Sequence, residues 1–252
     1  MAHPRNEREE AVVTYCVGIK VRDGLIALSD GRVTSGNQVS RARKLTLHGA
    51  DGGQFMVMTS GLRSVRDKTL AYLERDMRAA DAKPFRRLLD AVAGFCAALR
   101  EVKREDQEAL EASALPLNLH CIMGGKLADD AEPGLYLIYP EGNWIACDER
   151  TPYLSVGATA YGKPILDRAL SYDTPMQAAL KIAYLSFDST RVSAADVGYP
   201  IDLATLSAAD GTIRMVELDY DDLLEQRQWW NTHITQLTGQ LPDGPWIDKL
   251  LR

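Results

Sequence analysis

Short stretches of β-forming residues, separated by Asp-Gly and glycine-rich turns, shape the pattern of hydrophobic and polar positions at the start of this chain. Residues 11–21 and 25–30 flank Asp23-Gly24, a dipeptide typical of a two-residue hairpin turn. Residues 44–48 and 54–60 form a second predicted strand pair around another glycine-rich turn. The beginning of the chain is therefore predicted to be antiparallel sheet.

Helical periodicity follows these strands. Apolar residues recur at helical spacing from 62 to 77 and from 85 to 102, where Pro84 suits a helix start. The second half repeats this order, with strands at 117–125, 134–139 and 144–147, helices at about 161–171 and 174–187, a strand pair at 201–206 and 212–216, and a helix from 219 to about 237. Such blocks predict an α+β fold in which sheets pack together and helices lie outside. We expect one domain from about residue 13 to the end.

Composition and charge exclude several classes of function. The chain has 252 residues, 46% of them hydrophobic and 25% charged, which suits a globular protein with a sizeable core. Its 29 basic and 35 acidic residues give a net charge of −6, whereas a dedicated nucleic-acid binder normally carries a basic surface. No apolar run approaches the ~18–20 residues of a membrane span, and residues 1–10 lack the apolar stretch of a secretory signal. We therefore expect a cytoplasmic protein that binds neither nucleic acid nor a membrane.

The cysteines and histidines show no metal-ligand spacing. Cys16, Cys96, Cys121 and Cys147 are scattered without a Cys-x-x-Cys pair, so we expect buried, reduced thiols and no zinc site. Glycine-rich nucleotide-binding loops and the Gly-x-Ser-x-Gly nucleophile motif are also absent. The chemistry has to be sought elsewhere.

A candidate site lies where the first hairpin opens. Thr14 begins the first strand and Asp30 ends the return strand, so folding at Asp23-Gly24 makes them cross-strand neighbours, and Lys44 begins the third strand. A threonine hydroxyl becomes a nucleophile when a base takes its proton, and one known base is the threonine's own free α-amine. A lysine held by a carboxylate supplies a positive field that eases this transfer. On the residues alone, an ordinary strand threonine beside a structural ion pair explains the pattern as well.

The same segment resembles the opening of a proteasome β-type subunit. The similarity covers residues 14–36, and the sequences Arg43-Lys44-Leu45 and Thr59-Ser60-Gly61 follow in the family's order. More narrowly, residues 161–168 (YGKPILDR) and 186–190 (SFDST) resemble Anbu, the proteasome-related bacterial family also called the ancestral β-subunit. The resemblance implies a four-layer αββα sandwich of the N-terminal-nucleophile hydrolase type over residues 14–252.

The resemblance also implies roles for individual residues in threonine-type peptide hydrolysis. Thr14 would be the nucleophile with its own α-amine as general base, and Asp30 would orient Lys44 beside it. Thr34 and Gly61 would pair with the substrate backbone as an added strand, with the Gly61 amide also serving the oxyanion. The implied accessory residues are Arg32, which would brace the strand end, Asp188 as an acid near the nucleophile, and Ser189 or Ser193 as a serine partner.

Partners and alternatives follow from the same resemblance. It implies no metal and no organic cofactor, a ring-like or spiral homo-oligomer, and a peptide or unfolded protein as substrate. Related bacterial systems add an unfoldase, but the sequence identifies none. Two other functions stay open: a catalytically silent assembly or scaffold subunit, and an amidase acting on small amides.

Residues 1–13 conflict with the implied mechanism while they remain attached, because they turn the Thr14 nitrogen into a peptide amide that cannot accept a proton. This charged leader is either a propeptide removed between Val13 and Thr14 or a mis-assigned start, with translation beginning at the Val13 codon. Since Anbu-like chains begin directly at this point, we favour the second hypothesis. An intact mass matching a start at Met1 would exclude it.

Overall fold

Two five-stranded sheets form the centre of the structure. The computed structural model of the chain describes residues 14–35, 38–50, 53–79 and 83–251. In chain order the strands are β1 (Tyr15–Val21), β2 (Gly24–Asp30), β3 (Arg32–Ser35), β4 (Gln38–Arg41), β5 (Leu45–Ala50), β6 (Gly53–Ser60), β7 (His120–Gly125), β8 (Gly134–Ile138), β9 (Trp144–Ala146), β10 (Tyr153–Gly157), β11 (Ile201–Ser207) and β12 (Ile213–Leu218). The first sheet has the order β10-β1-β2-β11-β12 and the second the order β5-β6-β7-β8-β9. Strands β3 and β4 form a separate pair.

Two helix pairs cover the outer faces of these sheets. The helices are α1 (Arg63–Met77), α2 (Leu88–Ala112), α3 (Thr159–Ala169), α4 (Met176–Ser193), α5 (Leu224–Gln240) and α6 (Gly244–Leu251). Helices α1 and α2 pack on the second sheet around Phe55, Leu73 and Phe95, and α4 lies against β1 and β2 of the first. A separate apolar cluster, with Met58 and Ile122 among its members, fills the space between the sheets. The predicted four-layer αββα sandwich is confirmed.

The chain forms two compact units, Met1–Glu217 and Leu218–Arg252. The second unit contains α5 and α6, and many of its large apolar side chains are exposed. They include Leu224, Trp229, Ile234, Leu237, Leu241, Trp246, Leu250 and Leu251. No helix in the described ranges combines the length and apolar character that crossing a bilayer requires.

The predicted elements differ from the observed ones where local sequence is uninformative. The hairpin at Asp23-Gly24 is confirmed, and Gly24 adopts a φ of +145° that favours glycine. Strands β3, β4 and β10 and helix α6 were not predicted, because short segments carry little periodicity. Helix α2 begins three residues later than predicted and continues to Ala112, since its last residues are charged helix formers without an apolar stripe.

Candidate active site

One carboxylate oxygen joins Thr14, Asp30 and Lys44 at the end of the first sheet. The Thr14 hydroxyl and the Lys44 ammonium each donate to Asp30 Oδ1 at 2.6 Å. The Tyr15 amide is a third donor to this oxygen, at 2.9 Å. All three side chains are buried, with Thr14 1% exposed. The structure thus brings together Thr14 and Asp30 of the first hairpin and Lys44 at the start of the third predicted strand; these three residues are here named the trio.

The trio draws on both sheets. The β1–β2 register pairs Cys16 with Ser29, which leaves Thr14 and Asp30 at the open end of the hairpin. Lys44 immediately precedes β5, the edge strand of the second sheet. Its ammonium also donates to the Arg32 carbonyl at 2.7 Å. A buried carboxylate and a part-buried carbonyl therefore fix the ammonium, and Asp30 is the acceptor that it shares with the Thr14 hydroxyl.

The segment after α4 holds the other side of Asp30. The Gly198 amide donates to Asp30 Oδ2 at 3.4 Å, and Arg32 Nη1 donates to the Ala195 carbonyl at 2.8 Å. A Cβ on Gly198 would lie 2.6 Å from Arg32 Nε, so only glycine leaves room for this guanidinium. Arg32 contacts the segment next to the site, and its predicted bracing role stays a prediction.

A strand–helix junction holds the Thr14 backbone. The Ala158 amide donates to the Thr14 carbonyl at 2.7 Å, just before α3 begins. A Cβ on Gly157 would lie 1.9 Å from that carbonyl oxygen, and Gly157 has a φ of +88°. Sequence reasoning missed both residues because it missed β10. A glycine two residues before a helix was the available signal.

Tyr15 anchors the residue after Thr14 between the helices of the outer layer. Its hydroxyl donates to Ser186 Oγ of α4 at 2.9 Å, and burial raises its pKa. A Cβ on Gly162 of α3 would lie 2.4 Å from the same hydroxyl. The glycine of the YGKPILDR segment is therefore explained by the room that Tyr15 needs.

Gly61 lies across the inter-sheet space from the start of β1. The Cys16 thiol donates to the Thr59 carbonyl at 3.8 Å, which brings the end of β6 to this edge. Gly61 follows with a φ of +132°, and a Cβ there would lie 2.7 Å from the Asn118 carbonyl oxygen. Thr34 is described by its backbone, which pairs with Val39 of β4. The substrate-binding roles of Thr34 and Gly61 stay predictions.

The accessory residues on α4 are not joined to the trio. Asp188 is buried and forms an ion pair with Arg191, at 2.6 Å between Oδ1 and Nη2. Ser189 is half-buried and Ser193 is exposed. Among the described residues, no hydrogen bond or ion pair links any of these three to the trio. Their predicted roles gain no geometric support.

Competing chemistry at the site is limited. Burial raises the pKa of the neighbouring Cys16 thiol to about 12, so it stays protonated at neutral pH and is a poor nucleophile. In the described part of the chain, no group of three or more His, Cys, Asp or Glu side chains could hold a metal ion. The arrangement suits activation of the Thr14 hydroxyl by an ionised Asp–Lys pair.

Comparison with known proteins finds chains of similar sequence and structure. The helical assembly of the Anbu complex from Pseudomonas aeruginosa is 34% identical and covers 92% of this chain and 98% of that one, with a TM-score of 0.85. Anbu (ancestral beta-subunit) from Yersinia bercovieri is 29% identical, covers 91% and 98% of the two chains, and has a TM-score of 0.83. Proteasome subunit beta 1 from Pyrobaculum calidifontis is 23% identical over 207 residues, or 81% of this chain and 94% of that protein. No protein-family profile matches this sequence.

Proposed function

This chain belongs to the Anbu family of proteasome-related proteins, and on that premise we propose that it is a threonine-type peptidase subunit whose N-terminal nucleophile is Thr14. The observation that carries this proposal is the shared Asp30 Oδ1, which lies 2.6 Å from both the Thr14 hydroxyl and the Lys44 ammonium. A buried carboxylate in this position keeps the ammonium beside the hydroxyl, where its positive field stabilises a developing alkoxide.

The reaction proceeds in two steps. In the first, the Thr14 hydroxyl oxygen attacks the peptide carbonyl carbon while the free α-amine takes the hydroxyl proton. The same amine then gives this proton to the departing peptide nitrogen, the C–N bond breaks, and an ester acyl-enzyme remains. In the second step, water attacks the ester carbonyl carbon and gives a proton to the amine, which passes it to the Thr14 oxygen as the bond between that oxygen and the acyl carbon breaks and the carboxylic acid product leaves. The Gly61 amide donates to the carbonyl oxygen in both steps.

The mechanism requires that residues 1–13 be absent from the acting form. In the full chain the Thr14 nitrogen is a peptide amide, whose lone pair is delocalised into the neighbouring carbonyl and cannot take the proton. The proposed acting form begins at Thr14, by either of the two routes given above. Every described strand and helix lies after residue 13, so the form that begins at Thr14 contains all of them.

Self-assembly is part of the proposal. The Pseudomonas relative forms a helical assembly, and a helical assembly needs two different contact surfaces on each subunit. The exposed apolar residues of α5 and α6 offer one such surface in this chain. Peptides or unfolded protein are the proposed substrates.

Mass spectrometry with a threonine-directed electrophile tests the peptidase. The full chain and a form beginning at Thr14, released from a ubiquitin fusion, are each incubated with a β-lactone or an epoxyketone. We expect one adduct on Thr14 of the shortened form, none on the full chain, and none on the shortened Thr14→Ala variant. Absence of an adduct on the shortened form would overturn the proposal.

A silent scaffold subunit is the second candidate. The observation that favours it is the 1% exposure of Thr14, whose hydroxyl donates its hydrogen to Asp30 in the full chain. A native protein that starts at Met1, assembles and resists the electrophile would establish this reading. An amidase would be distinguished by turnover of small amides but not of a peptide panel.

A further inference from the structure

A row of three polar side chains crosses the first sheet behind the trio. The β1–β2 register pairs Cys16 with Ser29, and the β2–β11 register pairs Ser29 with Asp202. All three residues are buried, with exposures of 0%, 0% and 3%. The Cys16 thiol bonds the second sheet, so this row faces the inter-sheet space. The mechanism proposed above uses none of the three.

The carboxylate of this row is incompletely satisfied. Within the described ranges, neither Asp202 Oδ1 nor Ser29 Oγ has a hydrogen-bond partner. The ion-pair partner of Asp202 is Arg43, with 3.5 Å between Oδ1 and Nε, and the Arg43 side chain is 57% exposed. The negative charge of Asp202 is therefore buried, whereas solvent screens the positive charge of Arg43 that faces it. A buried carboxylate in this state costs stability, which points to a functional reason for it.

Asp202 also lines a small cavity beside the trio. The cavity has a volume of about 110 Å³, and its walls include Gly31 and Arg43, the chain neighbours of Asp30 and Lys44. Charged and titratable groups that face Asp202 come from several elements. They are Arg41 at the end of β4, Arg43 between β4 and β5, Glu217 of β12, and Cys16 of β1, whose thiol also lies in the fields of Lys44 and Asp30. Burial raises the pKa of Asp202 to about 6 against the opposing effect of Arg43, so the carboxylate is charged above pH 7.

We propose that Asp202 is a positioning residue that sets the proton affinity of the Thr14 α-amine by placing a buried negative charge behind the Asp30–Lys44 pair. This inference rests on the proposed function, in which the amine is the general base. A negative charge favours the protonated amine and so makes it a stronger base. A stronger base takes the hydroxyl proton more readily, but it becomes available only at higher pH.

The size of the effect follows from strand geometry. Neighbouring strands lie about 4.8 Å apart and residues rise about 3.3 Å along a strand. Asp202 is two strands from Cys16 and Thr14 is two residues before it, so the charge and the amine are about 12 Å apart. At an effective dielectric constant of about 20, the Asp202 charge raises the titration midpoint of the Thr14 α-amine by about one pH unit. Screening by salt reduces this shift to about half a unit.

The test titrates the amine directly. The form beginning at Thr14 is labelled with limiting acetic anhydride from pH 5 to pH 10, and the acetylated fraction of the Thr14 α-amine is read by mass spectrometry. Asp202→Asn should lower the midpoint by about half a unit to one unit. If the protein hydrolyses peptides, the acid limb of its kcat/KM profile should move by the same amount. Arg43→Gln, which removes the counter-charge, should raise the midpoint and gives a second variant if Asp202→Asn does not fold.

Glu217→Gln is the matched control. This carboxylate also pairs with Arg43, at 3.2 Å, but its side chain is 51% exposed. Because solvent screens it, its removal should move the midpoint by less than about 0.2 unit. An unchanged midpoint in Asp202→Asn, or an equal shift in both variants, would overturn the inference. The amine titrates whether or not the protein hydrolyses peptides, so failure of the electrophile test leaves this result readable.

Discussion

The buried pair at the centre of the trio makes a quantitative prediction about stability. Asp30 and Lys44 have side-chain exposures of 0% and 4% and lie 2.6 Å apart. Removing one partner leaves the other as an unpaired buried charge, which costs about 3–5 kcal/mol. We therefore expect Asp30→Asn and Lys44→Met each to lower the free energy of unfolding by that amount. The double variant buries no charge here and should lose less than the sum, by at least about 2 kcal/mol.

Urea unfolding of the full chain, followed by circular dichroism, measures this double-mutant cycle. The full chain is suitable because the prediction concerns stability and needs no free Thr14 amine. Arg86 and Asp129 form a control pair at the same 2.6 Å, with side chains 59% and 45% exposed. The equivalent cycle, Arg86→Met with Asp129→Asn, should give a much smaller coupling, because solvent screens both charges. Additive losses at Asp30 and Lys44 would refute the view that these residues act as one buried unit.

Three further predictions concern other parts of the molecule. The pKa of Asp202 rises from 3.8 to about 6 in the fold, so the protonated form is favoured there and stability is lost as the pH rises through this window. Asp202→Asn should remove this pH dependence of stability and raise the free energy of unfolding at pH 7.5 by about 1–3 kcal/mol. Urea unfolding midpoints at pH 4.5 and 7.5 measure both effects. Gly61→Ala should lower the free energy of unfolding by about 1–3 kcal/mol in the same assay, because the φ of +132° at Gly61 and a nearby carbonyl oxygen exclude a Cβ. Its control is Gly239→Ala, in open space on α5, which should raise the free energy of unfolding by about 0.5–1 kcal/mol. Trp246→Ser should shift the protein to smaller species in analytical ultracentrifugation, whereas Lys249→Ser on the same helix should leave its distribution unchanged.

Local chemistry explains what the sequence predicted well. The Asp23-Gly24 turn fixes the register of β1 and β2, and that register alone places Thr14 beside Asp30. Helix pairs and long strands were predictable because burial on one face imposes a period. The position of Lys44 was predictable because it directly precedes a strand with a clear apolar pattern.

Long-range contacts explain what the sequence did not reveal. Strand β10 exists because β1 offers it an open edge, and its five residues show no signal of their own. Gly198 supports Asp30 from 168 residues away, a relationship that no local pattern encodes. Asp188 lies in a family-like segment that suggested a role near Thr14, and its carboxylate pairs with Arg191 one turn along the same helix, so the suggested role stays a prediction.

The division of the trio between the two sheets has a mechanical consequence. Thr14 and Asp30 move with the first sheet, whereas Lys44 moves with the strand that opens the second. Any sliding of one sheet over the other therefore separates the ammonium from the hydroxyl before it disturbs either sheet internally. Forces applied to the outer helices would act on the Thr14 hydroxyl and the Lys44 ammonium through this shear, so packing of the apolar interior is also what keeps these two groups in register.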